Sequence, residues 1–281
     1  MMGASDRRRV LGGSLFLLAA VTTFVCLFPI YWMFISSLRP QGDLFSSKVQ
    51  LIPTRMSLEQ YEYAFKAKPL PRIMFNTLFV SVSRTLLSLF LCSLAGFAFA
   101  KLRFPGKGAL FLILLFTMII PFEAMIIPSF IIIVKLGWLN TYYPLIVPMA
   151  ASAFGIFFLR QYIRTIPDEL VDAARIDGCG YFGIYHRIML PTIKPALITL
   201  AIFTFKVAWD DFLWPLIVIR KEIMEVMMVA IRTLPPIVEG DRNVPWGAIM
   251  AASTLSVLPL MILFLVLQRE FMSGATTGAL R

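Results

Sequence analysis

Long apolar runs separated by short polar segments make up most of this chain. A helix needs about 20 mostly apolar residues to cross a bilayer core about 30 Å thick. Short strands of alternating polarity, which are typical of membrane barrels, are absent from the pattern. The pattern therefore predicts an all-α polytopic membrane protein with six transmembrane helices. They are predicted at residues 11–35, 73–100, 109–133, 142–160, 196–219 and 246–267.

Prolines are expected to disturb two of these spans. Pro121 and Pro128 interrupt the third span, and Pro144 and Pro148 lie at the start of the fourth. A proline removes a helical hydrogen bond, and membrane helices tolerate it where neighbouring groups satisfy the freed carbonyl. We expect kinks at these positions.

The composition excludes most soluble classes. The chain is 59% hydrophobic and only 15% charged, whereas soluble domains are about a quarter charged. A soluble enzyme, a disordered tail and a disulfide scaffold are therefore excluded. The three cysteines lack metal-site spacing and His186 is the single histidine, so we expect no metal and no directly bound cofactor.

The basic residues predict the topology. The formal charge of +10 comes from Lys and Arg scattered between apolar runs, which indicates contact with lipid headgroups and not with nucleic acid. Arg7–Arg9 precede the first span, and the Lys101–Lys107 turn contains no acid. Both features favour cytoplasmic termini. The first span resembles a signal peptide, but it is too long and lacks a cleavage site, so we interpret it as a retained helix.

This topology divides the polar segments between the two sides of the membrane. Residues 36–72 and 220–245 form outside loops, and residues 161–195 form the long inside loop. The tails, 1–10 and 268–281, are predicted to be cytoplasmic.

The inside loop has the signals of a short, well-capped helix. Pro167 suits a first helical position, and Asp168 and Glu169 place negative charge at the positive end of the helix dipole. Gly178 supplies a left-handed stop. From these local features alone, the segment is either an ordered connector or a docking element for a partner.

The spacing in this loop resembles the EAA loop of binding-protein-dependent ABC transporter permeases. Two alanines after an acid are followed by Gly178 and then by Ile188-x-Leu190-Pro191. Asp172 stands where that family usually has glutamate. Trp209-Asp210-Asp211-Phe212-Leu213-Trp214-Pro215 is similar to a stretch of the carbohydrate-type permeases, relatives of the inner maltose permease, with Asp210 in place of asparagine. The turn at 98–106 and the tail at 268–274 are also similar.

The resemblance implies a type I ABC importer permease fold with a core over 73–267. It also implies a heterodimer with a second homologous permease, two cytoplasmic ATPases that bind ATP-Mg, and an extracytoplasmic solute-binding protein, in a bacterial or archaeal cytoplasmic membrane. The permease itself is then not an enzyme. The residues implied to couple it to the ATPase are Asp168, Glu169, Asp172, Ala173, Ala174, Asp177, Gly178, Ile188, Leu190 and Pro191.

Charged residues within or near the spans have two interpretations. Each must be paired or face a water-filled cavity, because an isolated charge at the bilayer centre costs about 3 kcal/mol on insertion scales. Lys206 and Asp210 are four residues apart and can neutralise each other. Alternatively, a polar translocation route suits hydroxylated solutes. Its candidates are Trp209, Asp210, Asp211, Trp214 and Glu123; Glu123 lies either at a gate or at the outer interface.

Two other functions compete with the importer permease. An ion-coupled secondary carrier would use Glu123, Lys206, Asp210 and Asp211 as a relay, but such carriers usually contain internal repeats and more spans. A membrane hydrolase would need an assembled triad, and His186 lies in the inside loop away from any such set. No GxxxxGK[ST] run occurs, so ATP hydrolysis would belong to a separate subunit. The sequence does not name the solute.

Overall fold

The computed structural model describes residues 4–44, 51–53, 55–236 and 244–279. Parts of the predicted tails and outside loops, at 1–3, 45–50, 54, 237–243 and 280–281, lie outside the described residues. The described ranges contain no β-strand. They form α1 (Ala4–Ser37), α2 (Glu59–Ala67), α3 (Leu70–Lys101), α4 (Lys107–Thr117), α5 (Phe122–Lys135), α6 (Tyr143–Ile146), α7 (Ala153–Arg164), α8 (Glu169–Ile176), α9 (Tyr181–Ile184), α10 (Leu190–Thr192), α11 (Lys194–Trp209), α12 (Leu213–Val218), α13 (Met227–Arg232) and α14 (Trp246–Ala279).

Three predicted spans are single long helices. The apolar stretches Gly12–Ser37 in α1, Leu70–Lys101 in α3 and Trp246–Val266 in α14 are each long enough to cross a bilayer. Their positions agree with the predictions at 11–35, 73–100 and 246–267 to within three residues at each end. These helices confirm the all-α membrane fold.

The other spans are broken. Helices α4 and α5 are bent by 100°, and the segment Tyr181–Thr192 is bent by 78° from α11. If each bent pair is one span, the described residues contain up to five candidates, so the count of six stays a prediction. Pro121 explains the first bend, because its extended backbone (φ −65°, ψ 141°) starts α5 in a new direction.

The structure also differs from the prediction over 142–160 and 196–219. The first region is divided into α6 and α7, which are 4 and 12 residues long. Pro148 lies in the turn between them. The second region ends as a helix at Trp209, and α12 begins only at Leu213.

The chain divides into two compact units, of which the first contains the described parts of 1–68 and 231–258. Within it, the apolar window of α1 is fully exposed, as expected for a helix that faces lipid or another subunit. Gln60 of α2 lies so close to Gly247 of α14 that a Cβ there would come within 2.3 Å of the Gln60 side chain. Tyr61 Oη and Ser37 Oγ lie 2.8 Å apart, which joins α2 to the end of α1.

The second unit contains residues 69–230 and the described part of 259–281. Helix α3 is central in it, with α7 and α11 packed along its length. Two glycines permit the close approach of α7: a Cβ at Gly96 would lie 3.1 Å from Leu159 Cβ, and one at Gly155 would lie 2.8 Å from Cys92 Sγ. Small residues at helix crossings are typical of membrane proteins, because packing and not the hydrophobic effect joins helices there.

Two apolar clusters stabilise this unit. One joins α3, α7 and α11 to the inside loop through Leu159, Ile184, Met189 and other buried side chains. The other surrounds Trp214, which is 0% exposed and whose Nε1–H donates to the Pro144 carbonyl at 2.8 Å. The inside loop is therefore part of a packed core and not a loose connection.

Candidate functional site

Helix α8 has one packed face and one exposed face. Val171 and Ala174, three residues apart, are each 4% exposed and belong to the cluster shared with α3, α7 and α11. Leu170, Ala173 and Ile176 are exposed, and Ile176 is 87% exposed. Side chains three or four apart share a helix face, so this short helix is held from inside and presents an acidic and apolar surface outward.

A lysine from α3 holds the start of α8. Lys101 Nζ donates to the Ile166 carbonyl and to the Asp168 carboxylate, both at 2.5 Å. The Lys101 side chain is 4% exposed, whereas that of Asp168 is 80% exposed. The hydrogen bond from Lys101, and then its charge, lower the pKa of the Asp168 carboxyl. The predicted helix start at Pro167 is two residues early, because α8 begins at Glu169.

A glycine ends α8, as predicted. Gly178 has φ +82°, a left-handed conformation that L side chains rarely adopt. The Cys179 N–H donates to the Ala174 carbonyl and the Gly178 N–H to the Arg175 carbonyl, which together form a Schellman motif. Next to this end, Arg175 Nη2 donates to Tyr181 Oη at 2.6 Å. Both ends of α8 are thus fixed by specific contacts.

A π-helical turn at Tyr185–Met189 connects α9 with α10. Tyr185 is 3% exposed, and its hydroxyl lies 2.7 Å from Ser93 Oγ of α3, which is 1% exposed. Single π turns are frequent at functional sites. The sequence did not identify Lys101, Ser93 or Tyr185 as residues that position the site. The one available signal was for Lys101, which is the basic residue in the last turn of α3 before Pro105.

The predicted coupling residues lie together along 168–191 but differ in burial. Ala174 is buried, although the sequence grouped it with Ala173, and Ile188 and Leu190 pack half-buried against the cluster. The remaining members are exposed: Asp168, Glu169, Asp172, Ala173, Asp177, Gly178 and Pro191. All of these exposed members except Pro191, which lies in α10, are on α8 or at its ends.

The five route candidates differ in burial and in their contacts. Trp209 and Trp214 are 1% and 0% exposed, so both indoles serve packing in this conformation. Glu123 is exposed in the first turn of α5. Asp210 and Asp211 are adjacent in sequence, yet each has a different partner.

Asp210 and Asp211 form separate ion pairs. Lys206 Nζ lies 2.9 Å from Asp210 Oδ2, at the residue that caps the end of α11, as their spacing predicts. Arg84 Nη1 of α3 lies 3.3 Å from Asp211 Oδ2. Across the part of the chain that the structure describes, no three His, Cys, Asp or Glu side chains are grouped so that they could hold a metal.

The chain is similar to known transport proteins over most of its length. The model of a family described as binding-protein-dependent transport system inner membrane component matches residues 88–273. The arabinooligosaccharides transport system permease protein AraQ of Halalkalibacterium halodurans is 35% identical over 265 residues, which cover 93% of this chain and 94% of that protein. The diacetylchitobiose uptake system permease protein DasC of Streptomyces coelicolor is 34% identical over 266 residues, 93% of this chain and 95% of that protein.

A third relative and two solved structures are also similar to this chain. The sn-glycerol-3-phosphate transport system permease protein UgpE of Rhizobium meliloti is 31% identical over 265 residues, 92% of this chain and 93% of that protein. A chain of a bacterial ABC transporter involved in the import of the acidic polysaccharide alginate matches with a TM-score of 0.83 and 25% identity, covering 96% of this chain and 99% of that chain. A chain of the alginate transporter in complex with its alginate pentasaccharide-bound periplasmic protein, 16% identical, matches in fold with a TM-score of 0.67, covering 93% of this chain and 94% of that chain.

Proposed function

Because this chain belongs to the family of inner membrane components of binding-protein-dependent transport systems, the permeases of ABC importers, we propose that it couples solute passage to a separate ATPase through residues 161–195. The observation that carries the proposal is the construction of α8. Its inner face packs through Val171 and Ala174 on the cluster that contains α3, α7 and α11, and its outer face is exposed. A force on the outer face is therefore transmitted to three helices of the second unit.

The two ends of α8 make it suitable as a rigid element. Lys101 holds the start and the Schellman motif around Gly178 defines the end. An element that changes the access of a transporter must have two arrangements, and ATP binding must favour one of them. A well-anchored helix moves with its core as one body, so closure of the ATPases moves α3 and α11 together.

The proposed assembly contains four other components besides the solute. They are a second homologous permease, two cytoplasmic ATPases and an extracytoplasmic solute-binding protein, in a bacterial or archaeal cytoplasmic membrane. ATP-Mg binds to the ATPases. The exposed acids and apolar side chains of α8 suit a partner cleft with basic and apolar walls, since complementary charge favours docking.

The proposed solute is a sugar, an oligosaccharide or a polyol derivative. The names of the three relatives refer to arabinooligosaccharides, diacetylchitobiose and sn-glycerol 3-phosphate, each of which carries two or more hydroxyl groups. These define a test panel: arabinotriose, N,N′-diacetylchitobiose and sn-glycerol 3-phosphate.

The test uses the intact complex, purified through a tag on this chain and reconstituted in liposomes with its binding protein. We expect uptake of a panel member to require ATP, to stop with vanadate and to continue with ionophores. Inhibition by ionophores would instead support the ion-coupled carrier. This chain reconstituted alone is expected to move no solute, and robust flux from it would overturn the proposal.

A further inference from the structure

A partly buried ion pair connects α3 with the break that follows α11. The side chain of Arg84, on α3, is 9% exposed, and that of Asp211 is 22% exposed. Asp211 lies between the end of α11 at Trp209 and the start of α12 at Leu213, and its carboxylate also accepts a hydrogen bond from the Trp214 backbone. Non-helical backbone at membrane depth is tolerated only where protein covers it or where it borders a water-filled cavity.

The hydrogen bonds around Arg84 are incomplete. The Nη1–Oδ2 distance of 3.3 Å exceeds the about 2.7–2.9 Å of a strong charge-assisted bond. Among the described residues, Arg84 Nε has no partner, nor do Ser81 Oγ and Thr85 Oγ1, and all three atoms are buried. Residues 81, 84 and 85 lie at i, i+3 and i+4, so they share one face of α3. A pair that served stability alone would need these bonds to offset the cost of burial.

The polar groups in this cluster match a hydroxylated solute. Arg84 offers further N–H donors, Ser81 and Thr85 each donate and accept, and Asp211 accepts. The carboxylate neutralises the guanidinium, so the cluster has no net charge and favours a neutral ligand over an anion. Helix breaks near the membrane midplane form the solute sites of many transporters, where freed backbone groups are available.

We propose that Ser81, Arg84, Thr85 and Asp211 form a contact site for a neutral, hydroxylated solute, which opens when the non-helical backbone at Asp210–Phe212 moves away from α3. This inference rests on the proposed import function. In the described conformation the cluster is closed by the Arg84–Asp211 contact. In the open conformation the solute hydroxyls complete the hydrogen bonds that Arg84 Nε, Ser81 and Thr85 lack.

The first experiment measures access to this site by thiol labelling. In a complex whose Cys26, Cys92 and Cys179 are replaced by alanine, Ser81→Cys is treated with a small, membrane-impermeant cationic methanethiosulfonate. We expect labelling in one nucleotide state, either resting or trapped with vanadate, and slower labelling with a transported neutral panel sugar. Leu86→Cys is the matched control, since Leu86 is 62% exposed on the outer side of α3 and should remain unlabelled in both states. No labelling of Ser81→Cys in either state would overturn the inference.

The second experiment measures the charge of the site. With Asp211 present, anionic and cationic methanethiosulfonates should label Ser81→Cys at rates within about threefold of each other. Asp211→Asn leaves Arg84 unpaired and should raise the anionic-to-cationic ratio by about tenfold, in the range expected for a lost interaction with a charged group. Lys206→Gln removes an exposed cation on α11 and should leave the ratio unchanged. An unchanged ratio in Asp211→Asn would contradict the neutral site.

These outcomes separate the inference from the proposed function. If the unaltered complex takes up a panel sugar with ATP while Ser81→Cys stays unlabelled, only the contact site is wrong. If the unaltered complex shows no ATP-dependent uptake of any panel member, the proposed function fails before the site is tested. If Asp211→Asn does not assemble, labelling and sugar protection in Ser81→Cys, which keeps the Arg84–Asp211 pair, still decide the question.

Discussion

The stretches 168–178 and 206–214 both place acidic side chains near a helix end, but their surroundings differ. In the first, Glu169, Asp172 and Asp177 are exposed, and Asp172 Oδ1 lies 4.0 Å from Arg175 Nη1. In the second, Asp210 and Asp211 each pair with a cation of the same unit. Exposed acids on a packed helix are available to another protein, whereas the Arg84–Asp211 pair determines how the break after α11 fits against α3.

Carboxylates in the two stretches have different roles because one set is surrounded by water and the other lies between membrane helices. In water, an acid such as Glu169 costs little to expose, so a surface can keep it for a partner. Between membrane helices an unpaired charge costs about 3 kcal/mol, so Asp211 needs Arg84. Substitutions should therefore act through docking in the first stretch and through helix arrangement in the second.

The largest loss of uptake is expected from a charge placed on the two adjacent alanines of α8. Ala173→Asp adds a charge to the exposed face, so the complex should insert normally while uptake falls at least about tenfold, because an unpaired charge buried at an interface costs about 2 kcal/mol or more. Ala174→Asp places the charge in the core and should reduce the amount of folded protein itself. Membrane abundance and uptake are measured for both variants, with Ala173→Ser as the control. Full uptake by Ala173→Asp would remove α8 from the docking surface.

The second-largest loss of uptake is expected from substitution of one of the two glycines that follow α8. A Cβ at either Gly178 or Gly180 would meet open space, but Gly178 has φ +82° and Gly180 has φ −71°. Gly178→Ala strains the backbone by about 1–2 kcal/mol and should lower uptake about fivefold. Gly180→Ala, the matched control, should stay within about twofold. Equal effects of the two substitutions would show that the left-handed stop is not required.

A smaller effect is expected from the Lys101 anchor. Lys101→Gln should speed amide exchange in α8 about threefold, since a pair with one exposed partner is worth about 1 kcal/mol or less. Hydrogen exchange followed by mass spectrometry measures this, with Arg103→Gln as the control. Unchanged exchange in α8 would show that packing alone holds the helix.

The same anchor predicts a pH dependence. The folded-state pKa of Asp168 is lowered, so its contact with Lys101 contributes stability above the ordinary value near 4. That contribution is lost as the pH falls through the lowered value. The exchange rate in α8, divided by the intrinsic rate of unprotected amides at the same pH, should therefore not change between pH 7 and 5 through this group, and this corrected rate should rise below about pH 4. In Asp168→Asn the acid-dependent rise should disappear.

The smallest effect is expected from Lys206→Gln. The Lys206 side chain is 65% exposed, and its pair with Asp210 lies within one helix. Such pairs contribute about 0.2–0.5 kcal/mol, so uptake should change by less than about twofold. A large loss would mean that the second stretch uses its surface charges in transport, and the contrast between the two stretches would be weaker.

Local sequence signals identified much of the candidate site. Gly178 ends α8 in the left-handed conformation that its position implied, while the coupling role of the residues from Asp168 to Pro191 stays a prediction. The burial of Ala174 beside the exposed Ala173 was not predicted, because an eight-residue helix gives too little periodicity to assign its faces. The burial of Trp209 and Trp214 was not predicted either, because aromatic residues suit both a sugar route and a core.

What the sequence alone determined is local in origin. Apolar length determined the membrane class and the three long helices, while proline and glycine determined where helices bend or end, because these properties depend on neighbouring residues. Only the tertiary structure decided the pairs Lys101–Asp168, Ser93–Tyr185 and Arg84–Asp211, which are 67, 92 and 127 residues apart. Helices that are apolar on every side give no sign of which face turns inward. The packing of α3 against α7, α11 and the inside loop sets the rotation of α3 about its own axis. This rotation determines which polar side chains come into contact.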